Sequence, residues 1–91
     1  MSVNVGHTEW SVDGKVPIAL TITLPTGDDL VSVEVTVEDL TLLDGAYAPS
    51  TVGSRTLAWV TRATTGTGKV LFSYVSDVGR EETLDVEVRF H

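Results

Sequence analysis

Two histidines, His7 and His91, are the only side chains in this sequence whose ordinary pKa lies near neutrality, so acid–base or nucleophilic chemistry would have to start from them. A nucleophilic triad sets such a base beside a serine or cysteine and orients it with a carboxylate. There is no Gly-x-Ser-x-Gly elbow and no cysteine. Both histidines therefore read as exposed polar residues near the chain ends. Paired carboxylates offer a second chemistry, glycoside hydrolysis. Glu34 with Glu38, and Asp85 with Glu87, are spaced to share a strand face. Charged outward faces are common on half-buried strands, where they also protect edges from aggregation. These pairs read as solvated, and no catalytic residue is expected.

Loop carboxylates suit calcium, a hard cation that takes oxygen ligands. Asp28-Asp29, Asp39 with Asp44, and Asp77 with Glu81-Glu82 are the candidates, but no EF-hand loop surrounds them. Simple solvated loops are expected, with no metal and no cofactor. Gly66-x-Gly68 lacks the strand–loop–helix context of a phosphate-binding loop. Aromatic residues can stack sugars. Trp59 and Tyr74 lie on strand faces that read as buried, with Tyr74 placed to hydrogen-bond across a strand corner. Trp10 and Tyr47, near edges, are the better interface candidates.

The elements that must position these residues are strands. From Leu30 to Glu38, Val31, Val33, Val35 and Val37 alternate with Ser32, Glu34, Thr36 and Glu38. A period of two puts the valines on one dry face of an extended strand and the polar residues on the other. One wet face argues for an antiparallel sheet. The same alternation recurs along the chain. Ser2–Val12 reads as a weak first strand broken near Gly6, where a bulge fits. Asp13-Gly14 is a turn signal. Lys15–Leu24 turns Val16, Ile18, Leu20, Ile22 and Leu24 inward, and Pro17, lacking a backbone donor, belongs at the strand start or on an edge. Pro25–Asp29 reads as a turn joining this strand to the valine strand in a hairpin.

The stretch Asp39–Pro49 admits a short edge strand at Ala46-Tyr47-Ala48 or a helical turn near Asp39–Leu43. Ser50–Ser54 reads as loop. Arg55–Arg62 is a strand, and Ala63–Gly68 a threonine- and glycine-rich loop. Lys69–Ser76 carries Val70, Phe72 and Tyr74 on one face. Thr83–Phe90 turns Leu84, Val86, Val88 and Phe90 inward. About seven strands at intervals of roughly 8–15 residues indicate a single all-β domain, an immunoglobulin-like antiparallel β-sandwich.

Composition narrows the function. A chain of 91 residues has room for one core. Its net charge of -7 opposes binding to phosphate backbones and anionic membranes. Neither nucleic acid nor membrane is an expected partner. Met1–Trp10 has no basic or apolar leader segment, so no signal peptide is expected.

The run Gly68-Lys69-Val70-Leu71-Phe72-Ser73-Tyr74-Val75-Ser76-Asp77-Val78-Gly79, followed by Thr83-Leu84-Asp85-Val86-Glu87-Val88, resembles the end of a bacterial or phage immunoglobulin-like module. The resemblance implies a fold, and such folds host many functions. Modules of this kind occur as tandem repeats on cell surfaces and as decoration or appendage domains of tailed-phage virions. The expected function is therefore a non-enzymatic virion structural protein, located on the particle, with the cytoplasm or a cell surface reached without a signal peptide as the alternative locations. Its expected partner is a capsid or tail protein, with a homo-oligomer as a second expectation. The alternative is a carbohydrate-binding or cell-surface adhesion module. Candidate interface residues are Val3, Val5, His7 and Trp10 in the weakly patterned first segment. Tyr47 and the loop residues Arg62, Thr64, Thr65 and Thr67 complete the set.

Overall fold

A computed structural model describes residues 2–91. The chain forms eight strands: β1 (Val3–Trp10), β2 (Val16–Thr21), β3 (Leu30–Glu38), β4 (Thr41–Leu42), β5 (Ser50–Val52), β6 (Arg55–Thr61), β7 (Gly66–Ser76) and β8 (Glu81–Phe90). One 3-10 turn, Gly45–Tyr47, separates β4 from β5. The strands make two sheets. The first has the order β1-β8-β7-β3; in the second, β6 pairs with β2 on one edge and with β4 and β5 in succession on the other. This is an all-β sandwich, with β2 and β6 in one sheet facing β3, β7 and β8 in the other. Pairing is antiparallel throughout except for β1, which runs parallel to β8.

The core forms where the inward faces meet. Val16 and Ile18 of β2 and Ala58 and Val60 of β6 pack against Val70 and Phe72 of β7 and Val88 and Phe90 of β8. Each of these residues follows the period-two alternation of its strand. Phe72 and Phe90 are the largest of the fully buried side chains.

Several expectations fail for physical reasons. The valine strand is an edge strand, and its register shifts between Leu30 and Ser32. That bulge turns Val31 outward, 63 % exposed, so only Val33, Val35 and Val37 pack on the core. β2 and β3 do not form a hairpin: Pro25–Asp29 carries the chain from one sheet to the other. In a sandwich, consecutive amphipathic strands can bury their apolar faces across the core instead of side by side. Trp59 is not a core residue. Thr56, Ala58 and Val60 take the buried face of β6, leaving Leu57 and Trp59 on the outer one. Between Asp39 and Pro49 the helical turn falls at Gly45–Tyr47, and the edge strand is β4.

Ser50–Ser54 holds a strand rather than a loop. Val52 pairs with Arg55 across Gly53-Ser54, and Gly53 has φ 62°, as the first central position of a II′ hairpin turn requires.

Candidate functional site

β1 touches the sheet through one neighbour only, β8. Its register runs unbroken from Gly6 opposite Val86 to Trp10 opposite Phe90, and the break falls between Asn4 and Gly6. The bulge expected at Gly6 is thus present, one residue earlier. The carbonyl of Trp10 accepts from the His91 amide at 2.9 Å, and the Val12 amide donates to the His91 carbonyl at 3.2 Å. In an extended chain, successive residues direct their amide and carbonyl groups to opposite edges. Gly6, Thr8 and Trp10 therefore bond toward β8, and His7 and Glu9 direct theirs to the free edge.

The other sheet edges are guarded. β2 carries Pro17, which has no amide to offer. β3 carries Glu34 and Glu38, both exposed, and the Val31 bulge. β4 and β5 are 2 and 3 residues long. Short, charged, bulged or proline-bearing edges resist pairing with other chains. The segment Gly6–Trp10 is longer, keeps a regular register and has no proline, and its one carboxylate, Glu9, lies between His7 and His91. Beside it, Val3, Val5 and Trp10 remain 50 %, 45 % and 40 % exposed.

The outer face of β1 carries a chain of polar contacts. His7 Nδ1 lies 2.8 Å from Glu87 Oε1 on β8, and His7 Nε2 lies 3.1 Å from Glu9 Oε2. The other oxygen of Glu9 contacts His91 Nε2. The two carboxylates hold the His7 pKa above its ordinary value, Glu9 contributing most and Glu87 next. The same contacts, from His7 first and then His91, lower the pKa of Glu9. The cluster runs in series along the strand, and among the described residues no three metal-ligating side chains group as a metal ion needs.

The start of β1 is pinned by a group that sequence reading misplaced. Asp85 reads as solvated but is 2 % exposed. Ser2 Oγ donates to its Oδ2 at 2.6 Å and Asn4 Nδ2 donates to its Oδ1 at 2.8 Å. These two hydrogen bonds, with Ser2 the larger cause, outweigh burial and keep the Asp85 pKa below its ordinary value.

Of the sequence-derived interface residues, Val3, Val5, His7 and Trp10 share this strand. Thr67 lies two strands away, opposite Arg89 of β8, with Thr65 beside it. Thr64, Thr65 and Thr67 are exposed. Thr65, Thr67, Arg89, Phe90 and His91 line a shallow depression of about 500 Å³ near the Trp10 end of β1. Arg62 turns to its own loop instead: Nε donates to the Thr64 carbonyl at 3.1 Å, and a second guanidinium nitrogen donates to the Asp39 carbonyl. Tyr47 stands apart in the 3-10 turn, where it meets Trp59 of the second sheet edge-on at 5.2 Å with Lys15 Nζ 4.7 Å from its ring centre. Trp10, on β1 of the first sheet, and Tyr47, in the 3-10 turn beside Trp59 of the second, are thus not brought together as a sugar-stacking platform.

No protein-family pattern matches the chain, and no curated protein does. Among solved structures, it is similar to the solution structure of Amebosin, at 22 % identity over 97 % of this chain and 98 % of that one, with a TM-score of 0.36. An overlap that low carries no argument.

The remaining candidates have internal tasks. The loop carboxylates tie two turns together: the Asp29 amide donates to Asp77 Oδ1 at 3.0 Å, and Arg80 Nε donates to Asp28 Oδ2 at 3.0 Å. Beside them lies an open cleft of about 520 Å³ lined by Thr21–Leu24, Asp28–Leu30, Gly53 and Ser54. Tyr74 is buried, and its hydroxyl donates to Glu82 Oε2 at 2.9 Å, across the β7–β8 hairpin and not to a strand corner. Burial first, and that bond second, raise its pKa. Sequence reading also missed Glu9 and Glu87 as partners of His7. Only the Glu9 signal, two residues from His7 and so on the same strand face, was available; Glu87 requires knowing that β1 lies on β8.

Proposed function

We propose that this chain is a non-enzymatic adhesive domain that binds a repeating protein surface, as a capsid decoration or appendage domain of a tailed-phage particle does. The observation that supports this reading is the β1 edge: free backbone groups on a regular, proline-free stretch, with Val3, Val5 and Trp10 exposed along it. An added strand gains affinity from main-chain hydrogen bonds and specificity from alternate side chains. The exposed threonines Thr64, Thr65 and Thr67 give a second contact at the same end of the first sheet. On a repeating surface many modest contacts act together, so single-site affinity need not be high. The chain's place would then be the virion.

Cosedimentation with purified tailed-phage heads tests this. The wild-type chain is expected to pellet with the heads, and Trp10→Lys to weaken binding tenfold or more. Absence of wild-type binding, or binding untouched both by Trp10→Lys and by deletion of residues 2–7, overturns the reading.

A further inference from the structure

The free edge of β1 has a sequence that complements itself. An isologous pairing of two copies about a two-fold axis sets β1 antiparallel to its own image, and the choice of central residue fixes every opposing pair. Because His7 and Glu9 direct their backbone groups to the free edge, hydrogen-bonded pairs must join those outward residues. This parity leaves three central registers within the regular stretch.

Centring on His7 sets imidazole against imidazole and leaves Glu9 opposite Val5. Centring on Glu9 sets two carboxylates directly opposite each other, which is repulsive. Centring on Thr8 behaves differently. His7 then faces the partner's Glu9, and Glu9 faces the partner's His7. Thr8 faces the partner's Thr8, a pair that hydrogen-bonds well across antiparallel strands. Gly6 faces the partner's Trp10, so an aromatic ring covers a glycine that presents no side chain.

The side chains already point the right way. A Cβ built on Gly6 would lie 3.8 Å from Val86 Cγ1, on the inward face of the sheet. Trp10 lies back along that same face, its Nε1 donating to Thr8 Oγ1 at 2.9 Å. Its 40 % exposure leaves ring surface for a neighbour to cover.

We infer that the partner of the β1 edge is a second copy of this chain, joined antiparallel about Thr8 so that the first sheets of two copies become one continuous sheet. This deepens the adhesive reading above and rests on it: copies side by side on a repeating surface would be linked edge to edge. The regular stretch is short, so the interface is small and the dimer weak. The net charge of -7 on each copy opposes it, and physiological salt is needed to screen that repulsion.

The absence of cysteine makes a single introduced thiol a clean reporter. Thr8 sits at a non-hydrogen-bonded pair on the axis, where opposing Cα atoms lie about 4.5 Å apart, within disulfide range. Under mild oxidation at high micromolar concentration and physiological salt, Thr8→Cys is expected to convert mostly to a covalent dimer. Val31→Cys, on the other free edge of the first sheet, is expected to stay monomeric. Light scattering of the unmodified chain should show the mass rising from 9.8 kDa toward twice that value with concentration. His7→Glu should abolish the rise, and the swap His7→Glu with Glu9→His should restore it. A constant monomer mass with unreacted Thr8→Cys, or cross-linking at Val31→Cys instead, overturns the dimer. If Trp10-dependent binding to phage heads persists in that case, the adhesive reading survives and only self-pairing falls.

Discussion

Asn4 lies directly opposite Asp85 in the β1–β8 register and donates its side-chain amide to that carboxylate at 2.8 Å. Ser2 donates to the other oxygen, so both sides of a buried charge are satisfied by the segment that leads into the edge strand. A carboxylate that accepts such bonds is stabilised in its ionised form. β1 is thus anchored at its beginning by a buried anion and along its length by the histidine–glutamate chain.

Replacing Asp85 by alanine is expected to free the start of β1. Loss of hydrogen bonds to a buried charged group costs about 1–3 kcal/mol. Hydrogen exchange should show protection falling on β1 amides well before β7 amides. The sign with pH follows from the lowered pKa. The anchor is fully present above the ordinary aspartate value and is lost as pH falls through the lower folded-state value. Wild-type β1 should therefore loosen in that acid window, and Asp85→Ala should show no such step there. An equal acid response in both proteins would show that another carboxylate is responsible.

His7 carries the opposite sign. Its pKa is raised by Glu9 first and Glu87 second, so its contribution is complete below its ordinary value and fades as pH rises through the higher folded-state one. NMR titration of the imidazole should place its midpoint above 6.5, the value of an unperturbed histidine. Glu87→Gln should move the midpoint down by less than Glu9→Gln does. Both groups are well exposed, so the effect on global stability is small. A midpoint at or below the ordinary value would remove the cluster from any account of the edge.

The strands were legible in the sequence because their inward residues alternate: Val16-Ile18, Val70-Phe72 and Val88-Phe90 all lie where a period of two puts them. Which strand lies beside which was not legible. Alternation assigns a residue to a face and says nothing about the neighbour, so the β2–β3 hairpin was misread and the parallel β1–β8 pairing was invisible. The same gap hid the site. Asp85 sits on an outward face in the alternation, yet it is buried, with Ser2 and Asn4 of the β1 segment bonded to it. His7 reads as an isolated polar residue until β8 brings Glu87 beside it. Trp59 failed differently. Hydrophobicity suggested the core, but the smaller Ala58 and Val60 occupy the buried face of β6 and leave the large ring outside.

Gly68 is expected to tolerate no side chain. A Cβ there would lie 2.5 Å from the Glu38 carbonyl oxygen and 2.5 Å from Leu40 Cγ. The first contact is with backbone of the paired edge strand, which cannot rotate away. Gly68→Ala should cost about 1–3 kcal/mol through overpacking. In a domain of this size each kcal/mol lowers Tm by roughly 4–8 °C. A melting temperature within 2 °C of wild type, taken as roughly the limit of a neutral change on that scale, would show that β3 and β7 can separate locally.

Phe72 and Trp59 should separate sharply on truncation. Phe72 is fully buried between the sheets, and Phe→Ala at such a site costs about 3–5 kcal/mol. A domain of this length has a total stability of only about 5–15 kcal/mol, so Phe72→Ala should remove a large share of it and lower the urea midpoint well below wild type. Trp59 is larger but sits half-buried on the outer face of β6, with the ring of Tyr47 edge-on to it. Its truncation removes an aromatic pair worth about 0.5–1.5 kcal/mol together with part of its buried area. Urea unfolding should therefore give Trp59→Ala a clearly smaller loss than Phe72→Ala. Tyr47→Ala should add little on top of Trp59→Ala, because the pair is already broken and neighbouring sites are not additive. Losses of equal size at Trp59 and Phe72 would mean that the outer face of the second sheet is covered in solution by something other than Tyr47.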